Sequence, residues 1–262
     1  MMRSLTTAAS GMVVQQRNLD TIANNLANVN TTGFKSQRAE FQDLMYQNIR
    51  ASGAQTGGSG SQPSAVQLGL GSQFVATSGN FTQGAIQATG GQFDVAITGE
   101  GFLKVEMPDG STAYTRDGSL KVNANGELVT SDGYSISPNV QIPTGATAVY
   151  ISANGSVSAR VPGQDEPQDL QSLTLTVFPN PAGLTRIGQN LYVGGGASGT
   201  GEDKTPGQEG AGQLQQGSLE SSNVEIVFEM VRMITAQRAY EINSKAIQTS
   251  DDMLGVVNQL KR

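Results

Sequence analysis

Two seven-residue repeats, one at each end of the chain, constrain the fold more than any other feature. Leu5, Met12, Leu19 and Leu26 recur every seven positions, and Ala8, Gln15, Ile22 and Val29 follow each of them by three. That a/d pattern predicts a helix over about Leu5 to Val29 with one side turned toward a partner helix. Ser4 is placed to cap its start, and Gly33 to stop the chain beyond it. At the other end Ile226, Met233, Tyr240, Ile247 and Leu254 are seven apart, with Ala239, Ala246, Met253 and Leu260 running beside them. Ser222-Asn223-Val224-Glu225 reads as a capping box, and no proline follows before Arg262. One helix of roughly 35 to 40 residues is expected there, about 55 Å long. Both helices could pack on the chain's own core. Against that, the second outruns a compact domain of this size, and Val227, Met230, Val231 and Ile234 make its apolar face too wide for one narrow seam. Packing between copies accounts for such a helix better.

The residue inventory removes most chemistry. The 262 residues include no His and no Cys. A Ser-His-Asp triad, a cysteine nucleophile, a His or thiolate metal site and a disulfide are therefore all excluded. Sixteen basic against 22 acidic residues leave a net charge of −6, which argues against a nucleic-acid or polybasic membrane surface. Only 15% of the residues are charged, so the polar surface is built from Ser, Thr, Asn and Gln, which suits packing against other subunits. No apolar run reaches the ~18 residues a membrane span needs. Met12-Val13-Val14 is too short for the apolar stretch of a cleaved signal peptide. No cofactor, metal or small-molecule ligand is expected.

Between about Gln92 and Val193 the pattern changes to period two. Asp109-Gly110, Asp117-Gly118, Asn125-Gly126, Asp132-Gly133 and Asn154-Gly155 punctuate it. Such pairs supply the positive φ of tight hairpin turns. Strands are predicted at 94–97, 102–106, 119–122, 127–130, 148–152, 156–160 and 173–178. Ala51–Ser64 and Gly194–Gly212 are Gly/Ser-rich connectors. The expected fold class is thus α+β. Residues 1–35 and 217–262 form a helical terminal domain of coiled-coil-like helices packed together, 36–91 an extended arm, 92–193 an inserted antiparallel β domain, and 194–216 a Gly-rich return.

Other motifs reduce to ordinary structure. Gly194–Gly199 matches G-x-G-x-x-G, but Glu202-Asp203-Lys204-Thr205-Pro206 stands where a phosphate-binding helix has to begin. Asn30-Thr31-Thr32, Asn80-Phe81-Thr82 and Asn154-Gly155-Ser156 are chance glycosylation sequons. Asp251-Asp252 are adjacent on a helix and share no face, and Asp165-Glu166 lies in a Pro/Gly loop. None of these makes a catalytic site.

Ala23-Asn24-Asn25-Leu26-Ala27-Asn28 with Gly33-Phe34-Lys35 closely resembles the N-terminal signature of the bacterial flagellar rod and hook proteins. Ser222–Glu225 and Gln237-Arg238-Ala239-Tyr240-Glu241-Ile242-Asn243 resemble the other end of the same family, and Gly99–Phe102, Tyr114–Gly118 and Gly126–Thr130 continue the likeness through the middle. Tyr46-Gln47, Ile49-Arg50, Gly53-Ala54 and Val66–Gly71 are similar to the insertion of its distal-rod branch. A proximal rod or hook subunit is the nearer rival, and a carbohydrate-binding or hydrolytic β domain with helical dimerisation ends the remote one. The resemblance implies a structural subunit that polymerises into a helical tube and carries motor torque from the proximal rod to the hook. It implies terminal helices lining the tube, with Leu5, Met12, Leu19, Ile22, Leu26, Val29, Ile226, Met233, Tyr240, Ile247, Met253, Leu254 and Leu260 packing between subunits. It further implies proximal rod, hook or hook-junction and L- and P-ring proteins as neighbours, a place in the rod crossing the periplasm, and export by the flagellar type III machinery without a cleaved signal.

Overall fold

A computed structural model describes residues 2–50, 55–56, 60–61, 64–163 and 167–260. Most of Ala51–Ser64, and Asp165-Glu166, lie outside the described residues. The class is α+β, with one helix near each end, α1 (Met2–Ala27) and α2 (Ile226–Leu260), and antiparallel strands between them. The chain forms two compact units. One contains Met1–Leu26, Gln37–Ser78 and Ile226–Arg262; the other contains Ala27–Ser36 and Gly79–Glu225.

The β unit grows from the tight turns. Gly110, Gly126, Gly133 and Gly155 all take positive φ, between +78° and +89°, and each closes a two-stranded hairpin. The fifth pair, Asp117-Gly118, closes none. There the Asp117 carboxylate accepts the Ser119 N–H at 3.0 Å, and Gly118 lies against the Val95 carbonyl, where a Cβ would collide. This glycine serves a close approach of two backbones instead of a turn. Leu103–Glu106 is the middle strand of a seven-stranded sheet in the order 121–122, 128–129, 135–137, 103–106, 112–115, 191–193, 185–188. Leu103, Val105, Ile97, Leu128 and Leu175 are fully buried, and Phe102, Phe178, Leu184 and Tyr192 form a second, largely aromatic cluster.

Every predicted strand is present, usually shortened by a residue or two. The expected Gly-rich return at 194–216 is not a bare connector. Glu202–Lys204 pairs with Leu175–Val177, and Gln213–Gln216 pairs with Val95–Thr98. Their Gln, Glu and Lys side chains hide strands whose contribution is made by the backbone. The arm expected at 36–91 is divided between the units: Gln37–Ser78 lies with the helices, and Gly79 onward with the β unit. Its Tyr46–Arg50 and Val66–Gly69 segments pair as an antiparallel ribbon, with Tyr46 opposite Gly69.

The helix ends also differ from expectation. α1 stops at Ala27 because Thr31 N–H bonds back to Asn28 and Phe34 N–H to Thr31, which converts 28–34 into successive turns. The Ser222 hydroxyl accepts the Val224 N–H at 3.3 Å, a local turn, and α2 begins only at Ile226. The capping box is thus replaced by a turn.

Gly118→Ala should cost about 3 kcal/mol of β-unit stability, because the new methyl meets backbone that cannot move aside. Gly133→Ala, at φ +89° with open space around it, should cost about 1 kcal/mol from strain alone. Urea unfolding followed by circular dichroism checks the order.

Candidate assembly site

The stretches that lead out of α1 and into α2 are neighbours within the β unit. Gly33 N–H donates to the Glu220 carbonyl at 2.8 Å, and Asn223 N–H donates to the Phe34 carbonyl at 3.3 Å. Gly33 has φ +66°, and a Cβ there would lie 2.7 Å from the Arg116 carbonyl. The Asn223 side chain fastens the crossing: its oxygen accepts the Ser36 N–H at 2.7 Å, and its amide donates to the Asn80 and Thr82 carbonyls at 2.9 and 3.1 Å.

Beneath this crossing lies a buried ionic cluster. The Glu220 carboxylate meets Lys35 Nζ at 2.6 Å through one oxygen and Arg116 Nε at 3.1 Å through the other. The Lys35 and Glu220 side chains have no exposure, and Arg116 only 3%. The remaining valences are satisfied. Lys35 donates to the Thr82 carbonyl and Arg116 to the Gly99 carbonyl, while Glu220 also accepts the Gly84 N–H. Burial, reinforced by the Arg116 charge, pulls the Lys35 pKa below the usual lysine range, against the opposing pull of Glu220. Arg186 stands over the rings of Phe34 and Tyr192 at 5.3 and 5.4 Å and donates to the Lys35 carbonyl. Burial lowers its pKa and raises that of Tyr192.

In the helical unit, Asn25 performs a similar task. Its side-chain amide exchanges two hydrogen bonds of 2.8 Å with the Gln37 backbone, as a paired strand residue would. α1 and α2 meet through small and polar groups. Ser4 reaches Ser250 at 3.4 Å, and Gly11 lies against the Asn243 amide. Seven residues forward on α1 correspond to seven back on α2, so the helices are antiparallel. Ala8, Ile22, Ala236 and Ser250 are buried. The intrachain contact runs through Ser4 and Gly11, one position before Leu5 and Met12, on the side of α1 where Ala8 and Ile22 of the predicted repeat are buried.

This leaves the predicted packing residues uncovered to differing degrees. Of the α1 set only Ile22 is buried; Leu5, Met12, Leu19, Leu26 and Val29 are half-buried. On α2, Met233, Ile247 and Leu254 are half-buried, while Ile226, Tyr240 and Met253 are exposed. The burial of Leu260 lies outside the described residues. Val227 is 68% exposed, Phe228 62% and Ile242 66%. The signature residues divide by role. Asn25, Gly33 and Phe34 are buried staples, and Asn243 touches α1. Ala23, Asn24, Ala27, Gln237 and Arg238 are exposed, and Leu26 and Asn28 are half-buried. Arg116 and Glu220 were missed as functional residues. Their only sequence signal is a charge inside a strand-like run, as in Tyr114-Thr115-Arg116 and Ser218-Leu219-Glu220.

Among the described residues, no helix is long and apolar enough to cross a membrane, and no group of three or more His, Cys, Asp or Glu residues could hold a metal ion. Three family models match: a flagellar basal body rod protein model over residues 5–35, the flagellar hook protein FlgE/F/G D1 domain over 96–159, and the C-terminal model of flagellar basal body rod FlgEFG proteins over 215–260. Flagellar basal-body rod protein FlgG of Borreliella burgdorferi is 53% identical over 264 residues, covering 100% of both chains. FlgG of Caulobacter vibrioides is 45% identical over 261 residues, covering 99% of this chain and 100% of the other. FlgG of Bacillus subtilis is 42% identical over 270 residues, covering both chains completely. The chain belongs to the FlgG family of flagellar rod proteins. It is a structural subunit of the flagellar distal rod and not an enzyme. Lys35, Arg116 and Glu220 fall one in each of the three matched regions, so the cluster unites the family's separate sequence blocks.

Glu220→Gln leaves two buried cations without an anion and should lower unfolding free energy by about 3–5 kcal/mol. Lys35→Met keeps the Glu220–Arg116 pair and should cost about 1–3 kcal/mol. Denaturant unfolding of the two variants should rank them in that order.

Proposed function

We propose that copies of this rod subunit polymerise into a helical tube through their terminal helices and pass torque from the proximal rod to the hook. The observation that carries the reading is the exposure of α2. Its Ile226, Val227, Phe228, Met230, Val231 and Ile234 side chains are each about half or more exposed. A helix apolar on most sides is stable in water only when neighbours cover it. Each such side chain adds roughly 1.5–3 kcal/mol when fully buried. The small-residue seam with α1 leaves these positions for other copies.

The Tyr46–Arg50 and Val66–Gly69 ribbon supplies a second contact. Tyr46, Ile49, Val66 and Leu68 are exposed on it, and a lone two-stranded ribbon is marginal in water. Packed between copies, it stiffens the tube against bending. In this reading the helical ends line the tube and the β unit faces outward. Proximal rod proteins adjoin one end, hook or hook-junction proteins the other, and L- and P-ring proteins surround the rod where it crosses the periplasm. The subunit arrives through the flagellar type III export machinery. It binds no nucleic acid and no small-molecule ligand.

Ile242→Asp should leave monomer stability within about 0.5 kcal/mol, since the side chain is 66% exposed. In the polymer it buries an unpaired carboxylate, which costs several kcal/mol, so assembly should weaken about a hundred-fold or more. Sedimentation of the purified chain, together with swimming of cells carrying the variant, measures both. Wild-type assembly and motility would refute helix packing at this face.

A further inference from the structure

We infer that a pocket in the helical unit receives the side-chain amide of a glutamine from a second copy of this chain, an inference that rests on the polymer reading above. The pocket, about 430 Å³, lies where α1, the Gln37–Asp43 strand and the start of α2 converge. Its lining includes Asn18, Ile22, Arg38, Phe41, Glu229 and Arg232. Glu229 is the unusual group. Its side chain is 5% exposed; one carboxylate oxygen accepts from Arg232 Nη1 at 3.0 Å, and the other, Oε2, is buried with no hydrogen-bond partner. A buried carboxylate oxygen without a donor costs more than an ordinary lost hydrogen bond, so the pocket calls for a donor from outside the chain.

The chemistry of that donor follows from the walls. Arg232 already pairs with the single carboxylate, and the guanidinium of Arg38 lines the same pocket. A third cation would be repelled, and an anion would meet Glu229. A neutral N–H donor fits both conditions. Its source follows from position. The pocket opens beside the first turns of α2, where Ile226, Val227 and Met230 form the exposed apolar face assigned to neighbouring copies. Among the described residues, Gln16, Gln237, Gln248 and Gln259 are the exposed glutamines of the terminal helices. A neighbour packed on this face therefore brings neutral amides with it.

The test uses the purified full-length chain and its critical concentration for sedimentable polymer. Glu229→Gln keeps one oxygen for Arg232 but turns the other into an NH2 donor, and should raise that concentration roughly ten-fold or more, the scale of one hydrogen bond to a charged group. Gln16→Leu, Gln237→Leu, Gln248→Leu and Gln259→Leu, all at exposed positions, should leave the monomer folded. One of them should match the Glu229→Gln effect, and combining the two should add little further loss. Unchanged assembly of Glu229→Gln, with Ile242→Asp still defective, would overturn the inference and leave the polymer reading standing. A defect in Glu229→Gln that no glutamine variant shares would overturn it as well. A wild-type chain that never sediments would remove the polymer reading and this inference together.

Discussion

A carboxylate taken out of water has to be met by cations and N–H donors, and Glu220 imposes that requirement inside the β unit. Its partners, Lys35 and Arg116, lie 185 and 104 residues away in sequence. Three distant segments must therefore converge before the charge is compensated. The segment leaving α1 comes to lie beside the segment entering α2, joined by backbone bonds from Gly33 and Asn223. A half-assembled version leaves a bare charge in the interior, so the three segments depend on one another to close.

The two units stand in different energetic positions. The β unit buries its own apolar residues around Leu103, Val105 and Leu175 and satisfies its ladder hydrogen bonds internally. The helical unit joins α1 to α2 with serine, glycine, alanine and asparagine, and leaves most of its larger side chains at least partly in water. That arrangement suits a rod subunit. A monomer that buried its apolar side chains internally would have little left to hold a neighbour; here Val227, Phe228 and Ile242 remain in water.

Much of this was legible in the residues. Period-seven repeats set the existence of both helices, because an amphipathic helix repeats its face close to that interval. Asp-Gly and Asn-Gly pairs located four hairpin turns, since glycine takes positive φ without a steric penalty. The missing histidine and cysteine excluded whole classes of catalysis, and the end signatures pointed to the rod family. The stop of α1, the late start of α2 and the role of Gly118 were not legible. The first two rest on short local bonds, Thr31 to Asn28 and Val224 to Ser222, that compete with the helix, and the third on the distant Val95 backbone.

Local periodicity, turn chemistry and contiguous motifs specify the class of element at each end, the hairpins between them and the family. Closure of the chain settles which positions of α1 meet α2, which strands of the return segment pair, and that Lys35, Arg116 and Glu220 form one cluster. Adjacent stripes on a helix differ by a single position, and small residues allow the closest approach, so the repeat alone does not mark Ser4 and Gly11 as the intrachain contact. Ionic pairing across 104 and 185 residues leaves no periodic trace in a single sequence, because its geometry exists only once the chain has closed on itself.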